Sequence, residues 1–349
     1  MAYTLIDDPS AYFKNQIWTG DGNGSRAIAF DDTDTTMTPS LVWIKARSFS
    51  ENHELYDSVR GVQKRIMPND AGAEETRSQG LLAFSSDGFT IGTSDGVNKN
   101  TETYASWNWK AGTTSGLSGG DITPSAYSIN TTSKIGIYAY TGNGGSSQTI
   151  IHGLGATPTC VIFKERGGAE QWRVQHMSAP NPFSKMLLLN APDAEASQTN
   201  GLSAVSSTTI TFGSDGAYNL NNDTYVCYIF CDCKGFSKMG KYIGDGSTSR
   251  FVHCGFRPAF VLGKNATQGS QHWFMVDNAR STFNGDSKWI KADSNSAELT
   301  NLPNPDFTAN GFNVKSSNDI YNDSGETFVY WAFAEAPFVN SKGVPCNAK

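Results

Sequence analysis

The chain has 349 residues, 38% of them hydrophobic, enough for two or three domains that each bury a core of their own. Only 17% are charged and the net charge is -6, so the composition offers no basic surface for a nucleic-acid backbone. No apolar run approaches the roughly 20 residues of a membrane helix, and the opening "MAYTLIDDPSAYF" lacks the basic start and apolar stretch of a secretory signal. A soluble protein made in a cytoplasm, without membrane insertion, is expected.

The first elements in chain order flank the phrase "WTGDGNGSRAIAF", which leads into "TPSLVWIK". It returns as "YTGNGGSSQTIIHGLGATPTCVIFK" from Tyr140 and as "YIGDGSTSRFVHCGFRPAFVLGK" from Tyr242. Its landmarks Gly20, Gly142 and Gly244, and Lys45, Lys164 and Lys264, recur at intervals of roughly 100–120 residues, well beyond the 20–50 of solenoids and propeller blades. The short runs "LVWIK", "CVIFK" and "FVLGK", rich in β-branched and aromatic residues, predict strands, with Gly, Asn and Asp marking the turns. The opening glycines predict a hairpin; one carboxylate in two of the loops and only Asn143 in the middle one are too few for calcium, and no phosphate-loop signature is present. The lysine closing each strand reads as an exposed edge residue.

Next comes "HELYDSVRG" from His53, answered by "WRVQHMSAP" from Trp172 and "WFMVDNARS" from Trp273. Asp57 and Arg60 thus match Asp277 and Arg280, while the middle copy carries His176 and Pro180. Each pair reads as an ion pair fixing a turn. A ligand contact is the alternative, with Trp172 and Trp273 stacking on sugar faces and the lysines and Asp–Arg pairs bonding hydroxyls.

A closing strand ends each unit, around Tyr104, Tyr225 and Phe328. The alternate positions Ala105/Trp107/Trp109, Val226/Tyr228/Phe230 and Val329/Trp331/Phe333 predict the core face. The opposite faces predict a partly solvated or inter-domain surface. The expected fold is all-β, three tandem antiparallel β-sandwich domains related by internal repeat. Repeat 1 covers 1–112 with its lead-in, a Gly/Ser/Thr-rich flexible or draped linker 113–134, repeat 2 135–236, repeat 3 237–338 and a tail 339–349. The short joint between repeats 2 and 3 predicts a fixed pair, with repeat 1 tethered more freely.

No HExxH, GxSxG or paired-carboxylate constellation nominates a catalytic residue, so a non-enzymatic chain without cofactor is expected. Cys227, Cys231 and Cys233 read as buried thiols rather than zinc ligands.

The segments "IDDPSAYF", "HELYDSVRGVQK", "SSDGFTIG", "WNWKAG" and "AFAEAPF" together resemble an uncharacterised domain repeated in virion structural and tail-fibre-like proteins of marine bacteriophages. The resemblance implies a virion location with other virion proteins as partners. It leaves open host-surface glycan adhesion, capsid decoration and tail joining. Repetition and aromatic richness predict a homo-oligomer, a trimer first, with interfaces supplied by Cys227, Ile229, Tyr330 and Ala332.

Overall fold

The computed structural model describes residues 4–31 and 35–347, so the first three residues of the expected lead-in and the last two of the tail lie outside the described residues. A single 3-10 turn, Pro9–Ala11, leads into β1 (Phe13–Thr19), β2 (Arg26–Ala29), β3 (Leu41–Ala46), β4 (Glu54–Asp57), β5 (Lys64–Arg65), β6 (Glu75–Thr76), β7 (Leu81–Ser85) and β8 (Gly88–Ile91). A helical turn, α1 (Asp95–Asn98), precedes β9 (Thr103–Trp109). These strands form a large sheet ordered β1-β9-β3-β4, a small sheet β2-β8-β7 and the ribbon β5-β6.

The middle third runs through β10 (Ala126–Asn130), β11 (Ile135–Thr141), β12 (Gln148–Ile151), β13 (Cys160–Glu165), β14 (Arg173–His176), β15 (Lys185–Leu188), β16 (Ala196–Ser197), β17 (Leu202–Val205) and β18 (Thr209–Phe212). It ends with α2 (Gly216–Asn219) and β19 (Thr224–Phe230). Its sheets are β10-β11-β19-β13-β14-β15-β16 and β12-β18-β17. The last third contains β20 (Ser237–Ile243), β21 (Arg250–His253), β22 (Phe256–Asn265), β23 (Phe274–Asp277), β24 (Ile290–Lys291), β25 (Asp306–Thr308), β26 (Gly311–Val314) and β27 (Thr327–Pro337). They order as β20-β27-β22-β23-β24 and β21-β26-β25. The chain is all-β, with antiparallel sheets of which none closes on itself.

Each closing strand sits inside its large sheet, and one aromatic pair faces across it in every third. Trp18 stacks on Tyr104 at 5.4 Å, Tyr140 on Tyr225 at 5.1 Å and Tyr242 on Phe328 at 4.9 Å, all directly opposed in register. These rings lie between the large and small sheets, where three separate cores form.

The face assignment expected from sequence is inverted. Trp107, Trp109, Tyr228, Phe230, Trp331 and Phe333 do not fill cores private to each third. They meet with Phe13, Trp43, Ile162 and Phe260 in one cluster shared by the whole chain. The opposite residues, Tyr225, Cys227, Ile229, Phe328, Tyr330 and Ala332, are neither solvated nor inter-domain; they fill the private cores. A sheet covered on both faces has no solvent side, so its strands read as nearly continuous apolar runs and alternation carries no direction. Burying an indole of roughly 200 Å² transfers about 5 kcal/mol from water, so the shared cluster rivals the private cores in weight.

The first third is therefore not loosely tethered. Residues 113–134 are no free linker either: Thr113 and Ile129 exchange backbone bonds at 2.9 Å, Ile122 is buried, and β10 extends the middle sheet. The lead-in docks as well, Leu5 N–H donating to Lys234 O at 3.1 Å beside the short joint.

Candidate functional site

The repeated glycine phrases are corners rather than hairpins, because β1, β11 and β20 belong to large sheets while β2, β12 and β21 belong to small ones. Each corner is clipped by a buried asparagine that sequence reasoning missed. Asn98 Nδ2 donates to Asp21 Oδ1 (3.0 Å) and Asn23 O (2.8 Å), Asn219 to Asn143 Oδ1 (3.1 Å) and Gly145 O (2.9 Å), Asn322 to Asp245 Oδ1 (2.9 Å) and Ser247 O (2.7 Å). The signal was available: each asparagine stands six positions before Tyr104, Tyr225 or Phe328. The opening glycines are required by close approach, since a Cβ on Gly20, Gly142 or Gly244 would sit 2.1, 2.2 or 1.9 Å from a backbone oxygen.

The lysines are buried, not at exposed edges. Lys45 Nζ donates to Ala46 O at 2.6 Å, Lys164 to Glu165 O at 2.6 Å, and Lys264 to Asn265 O (2.9 Å), Gln271 O (2.7 Å) and Pro192 O (3.1 Å). Burial pushes all three ammonium groups down to about 8.

Trp172 and Trp273 are 0% exposed, so neither offers a ring face to a sugar. Each donates its indole N–H to a backbone oxygen of the preceding third, Trp172 to Met67 O at 2.9 Å and Trp273 to Leu188 O at 2.8 Å. His53, which opens the same phrase in the first third, completes the set: its Nδ1 accepts from Trp43 at 2.8 Å, which leaves Nε2 to donate to Lys291 O at 3.0 Å in the last third. The phrase for which ligand contact is the alternative reading is a seam between thirds.

The Asp–Arg pairs anchor two of these seams. Asp57 Oδ2 accepts from Arg60 Nε at 2.6 Å and from the Tyr228 hydroxyl of the middle third at 2.7 Å. Asp277 Oδ2 accepts from Arg280 Nε at 2.6 Å and from the Trp107 indole of the first third at 3.0 Å. Behind each stands a second carboxylate. Glu74 takes two bonds of 3.0 Å from Arg166 and one of 3.2 Å from Arg60; Glu298 takes bonds of 3.0 and 2.9 Å from Arg47 and one of 3.1 Å from Arg280. Burial opposes the charge of Glu74, yet the arginine bonds hold its carboxyl below the ordinary value. Forked arginine–carboxylate contacts of this kind fix orientation as well as charge.

The third seam is neutral. His176 stands where the phrase elsewhere has aspartate; its Nε2 donates to Tyr330 O and its Nδ1 accepts from Ser178 N–H, both at 3.2 Å, with the ring edge-on to Trp331 at 4.9 Å. Ala179, one position before the Pro180 matched from sequence, and Ala266 stand at the arginine positions, and Glu195 turns to Lys185 (3.9 Å) and Asn181 within its own third. Backbone contact persists all the same. Glu74 N–H donates to Arg166 O, Glu298 to Arg47 O and Glu195 to Ala266 O, each at 2.8 Å.

At the centre lies an apolar cavity of about 40 Å³, lined by side chains of all three thirds including Trp43, Trp109, Trp172, Phe260 and Trp331. With no polar lining atom it is a dry packing defect rather than a water or substrate site. The thiols of Cys160, Cys227, Cys231, Cys233 and Cys254 are buried, and burial raises each of them, Cys233 to about 11 and Cys231 and Cys254 to about 12. Among the described residues no group of three or more His, Cys, Asp or Glu is placed to hold a metal ion.

With that geometry in place, comparison with known families gives a match. A family model described as a domain of unknown function, DUF7483, aligns with residues 8–337. The chain belongs to this family. The match spans all seven sheets and the segment 113–134, in keeping with a core shared by every third, and its description assigns no activity. No curated protein matches the chain.

Proposed function

We propose that the chain is a bacteriophage virion structural protein built as three tandem β-sandwich repeats folded into one threefold body. The observation that carries the repeat is the recurrence of one sheet plan, closing strand beside opening strand in a large sheet and a three-stranded small sheet, with matching asparagine clips and matching seam contacts. The virion reading rests on the sequence resemblance and gains support from where the large and charged side chains go. Trp172, Trp273, Asp57, Arg60, Asp277, Arg280, Lys45, Lys164 and Lys264 are all engaged inside the chain. Side chains that lock one surface of a protein to another suit a load-bearing part.

The homotrimer expected from the aromatic surplus loses its premises, since those rings lie in the shared cluster and the faces nominated for interfaces are buried in private cores. One chain supplies the threefold geometry itself. Its partners on this reading are symmetric virion proteins, in a tail-associated, capsid-decorating or tail-joining position. Host-glycan adhesion, the second role carried by the resemblance, would fall to surface loops outside the residues first nominated.

The test is the composition of particles made from the genome that encodes the chain. Stoichiometric recovery in density-purified virions supports the proposal; absence from them overturns it.

A further inference from the structure

The three seams differ in what crosses them. Two carry an aspartate that accepts an indole or phenol from the neighbouring third, backed by arginine–glutamate forks. The seam between the middle and last thirds has no crossing ion pair among the described residues. There the Trp331 indole N–H, placed like Trp107 and Tyr228 on its closing strand, faces the Cys160 sulfur, a weak and uncharged acceptor, instead of a carboxylate. Without the charge-assisted bonds that anchor the other two, this seam is the least secure of the three.

We infer that the seam between β14 and β27 is an acid-release joint, in which protonation of His176 opens the middle third from the last while the other two seams stay closed. The geometry gives the reason. Nδ1 already accepts the Ser178 N–H and Nε2 already donates to Tyr330 O, so a second ring proton would meet a donor head-on and lose one bond. It would also place an unpaired cation at a position with no exposure. The groups packed on the ring are Cys160 from β13, Trp331 and the Tyr330 backbone from β27, and Ser178 from its own turn, itself bonded to Met239 O of β20. No charged side chain bears on it. Burial accordingly holds the imidazole down to about 4 while the joint is closed. His53, in the seam between first and last thirds, is depressed as well, by burial and then by the Lys45 charge, but there the Asp277–Trp107 bond and the Arg47–Glu298 fork hold the two thirds together beside it.

The joint is read by hydrogen exchange on the full chain. With the open-state imidazole near 6.5 and the closed one near 4, the opening equilibrium rises roughly 30-fold between pH 7.5 and pH 5, after correction for intrinsic exchange. The amides that cross this seam, Glu195 N–H to Ala266 O and Gln271 N–H to Pro192 O, should lose that much protection, while those of Glu74 and Glu298, which cross the other two, hold theirs. His176→Gln, whose amide can still donate to Tyr330 O, should abolish the acid increment. Uniform loss of protection across all seams would overturn the inference. So would an acid increment in His176→Gln equal to that of the natural chain. Were that variant not to fold, the confinement of the effect in the natural chain decides alone.

Discussion

The hydroxyl of Tyr228 donates to Asp57 at 2.7 Å across 171 positions of chain, in the same oxygen's grasp as Arg60. One carboxylate thereby neutralises a buried guanidinium of its own third and receives the closing strand of the next. Removing the acid leaves Arg60 buried and unpaired. Asp57→Ala should cost about 3–5 kcal/mol and Tyr228→Phe about 1–3 kcal/mol in denaturant unfolding. Because both act through one oxygen, the double variant should fall short of the sum by 1 kcal/mol or more; strict additivity would show that the two do not share a site.

Glycines in the corners answer to space rather than to backbone freedom. Gly20→Ala, Gly142→Ala and Gly244→Ala each press a methyl against backbone oxygen, and each should destabilise by roughly 1–3 kcal/mol. Gly216, in α2, meets nothing within 4 Å, and Gly216→Ala should instead stabilise by about 0.5–1 kcal/mol. Thermal melts of the four variants check the contrast in sign.

The buried lysines set a pH dependence of definite direction. Lys264 is held to about 8, below the 10.5 of an exposed lysine, so between those values the unfolded chain binds the extra proton and stability rises with pH. Raised cysteines push the other way, since their unfolded thiols ionise first, so the lysine contribution is isolated by difference. Relative to Lys264→Met, the natural chain should gain up to about 1.4 kcal/mol per pH unit between pH 8 and pH 10. A flat difference would mean that the ammonium is not buried as described.

The aromatic faces nominated for self-association are buried within one chain. Light scattering at tens of micromolar should return the 37.7 kDa of a single chain; a mass three times larger would restore the homotrimer.

The strands at the repeating landmarks were legible because short apolar runs bounded by glycine-rich turns are local signals. What lay beyond reach was direction. Trp107 and Tyr104 are both buried on one strand, and nothing in their alternation tells a shared core from a private one. Lys45, Lys164 and Lys264 were misjudged for a related reason, since backbone oxygens that satisfy an ammonium leave no trace in sequence. Asp57 and Arg60 were correctly paired, as three-residue spacing permits, while their distant partners Tyr228, Glu74 and Arg166 were not foreseeable from spacing. Asn98, Asn219 and Asn322 were visible and passed over, because polar residues near turns are ordinarily read as solvated.

The central claim is that three sheet pairs share one core and stand or fall together. Differential scanning calorimetry of the full chain at pH 7.5 tests it most directly. The account predicts one transition whose calorimetric and van't Hoff enthalpies agree, near 240 kcal/mol if about 0.7 kcal/mol per residue holds around 60 °C. Two or three resolved transitions, each with the enthalpy of about a hundred residues, would contradict it.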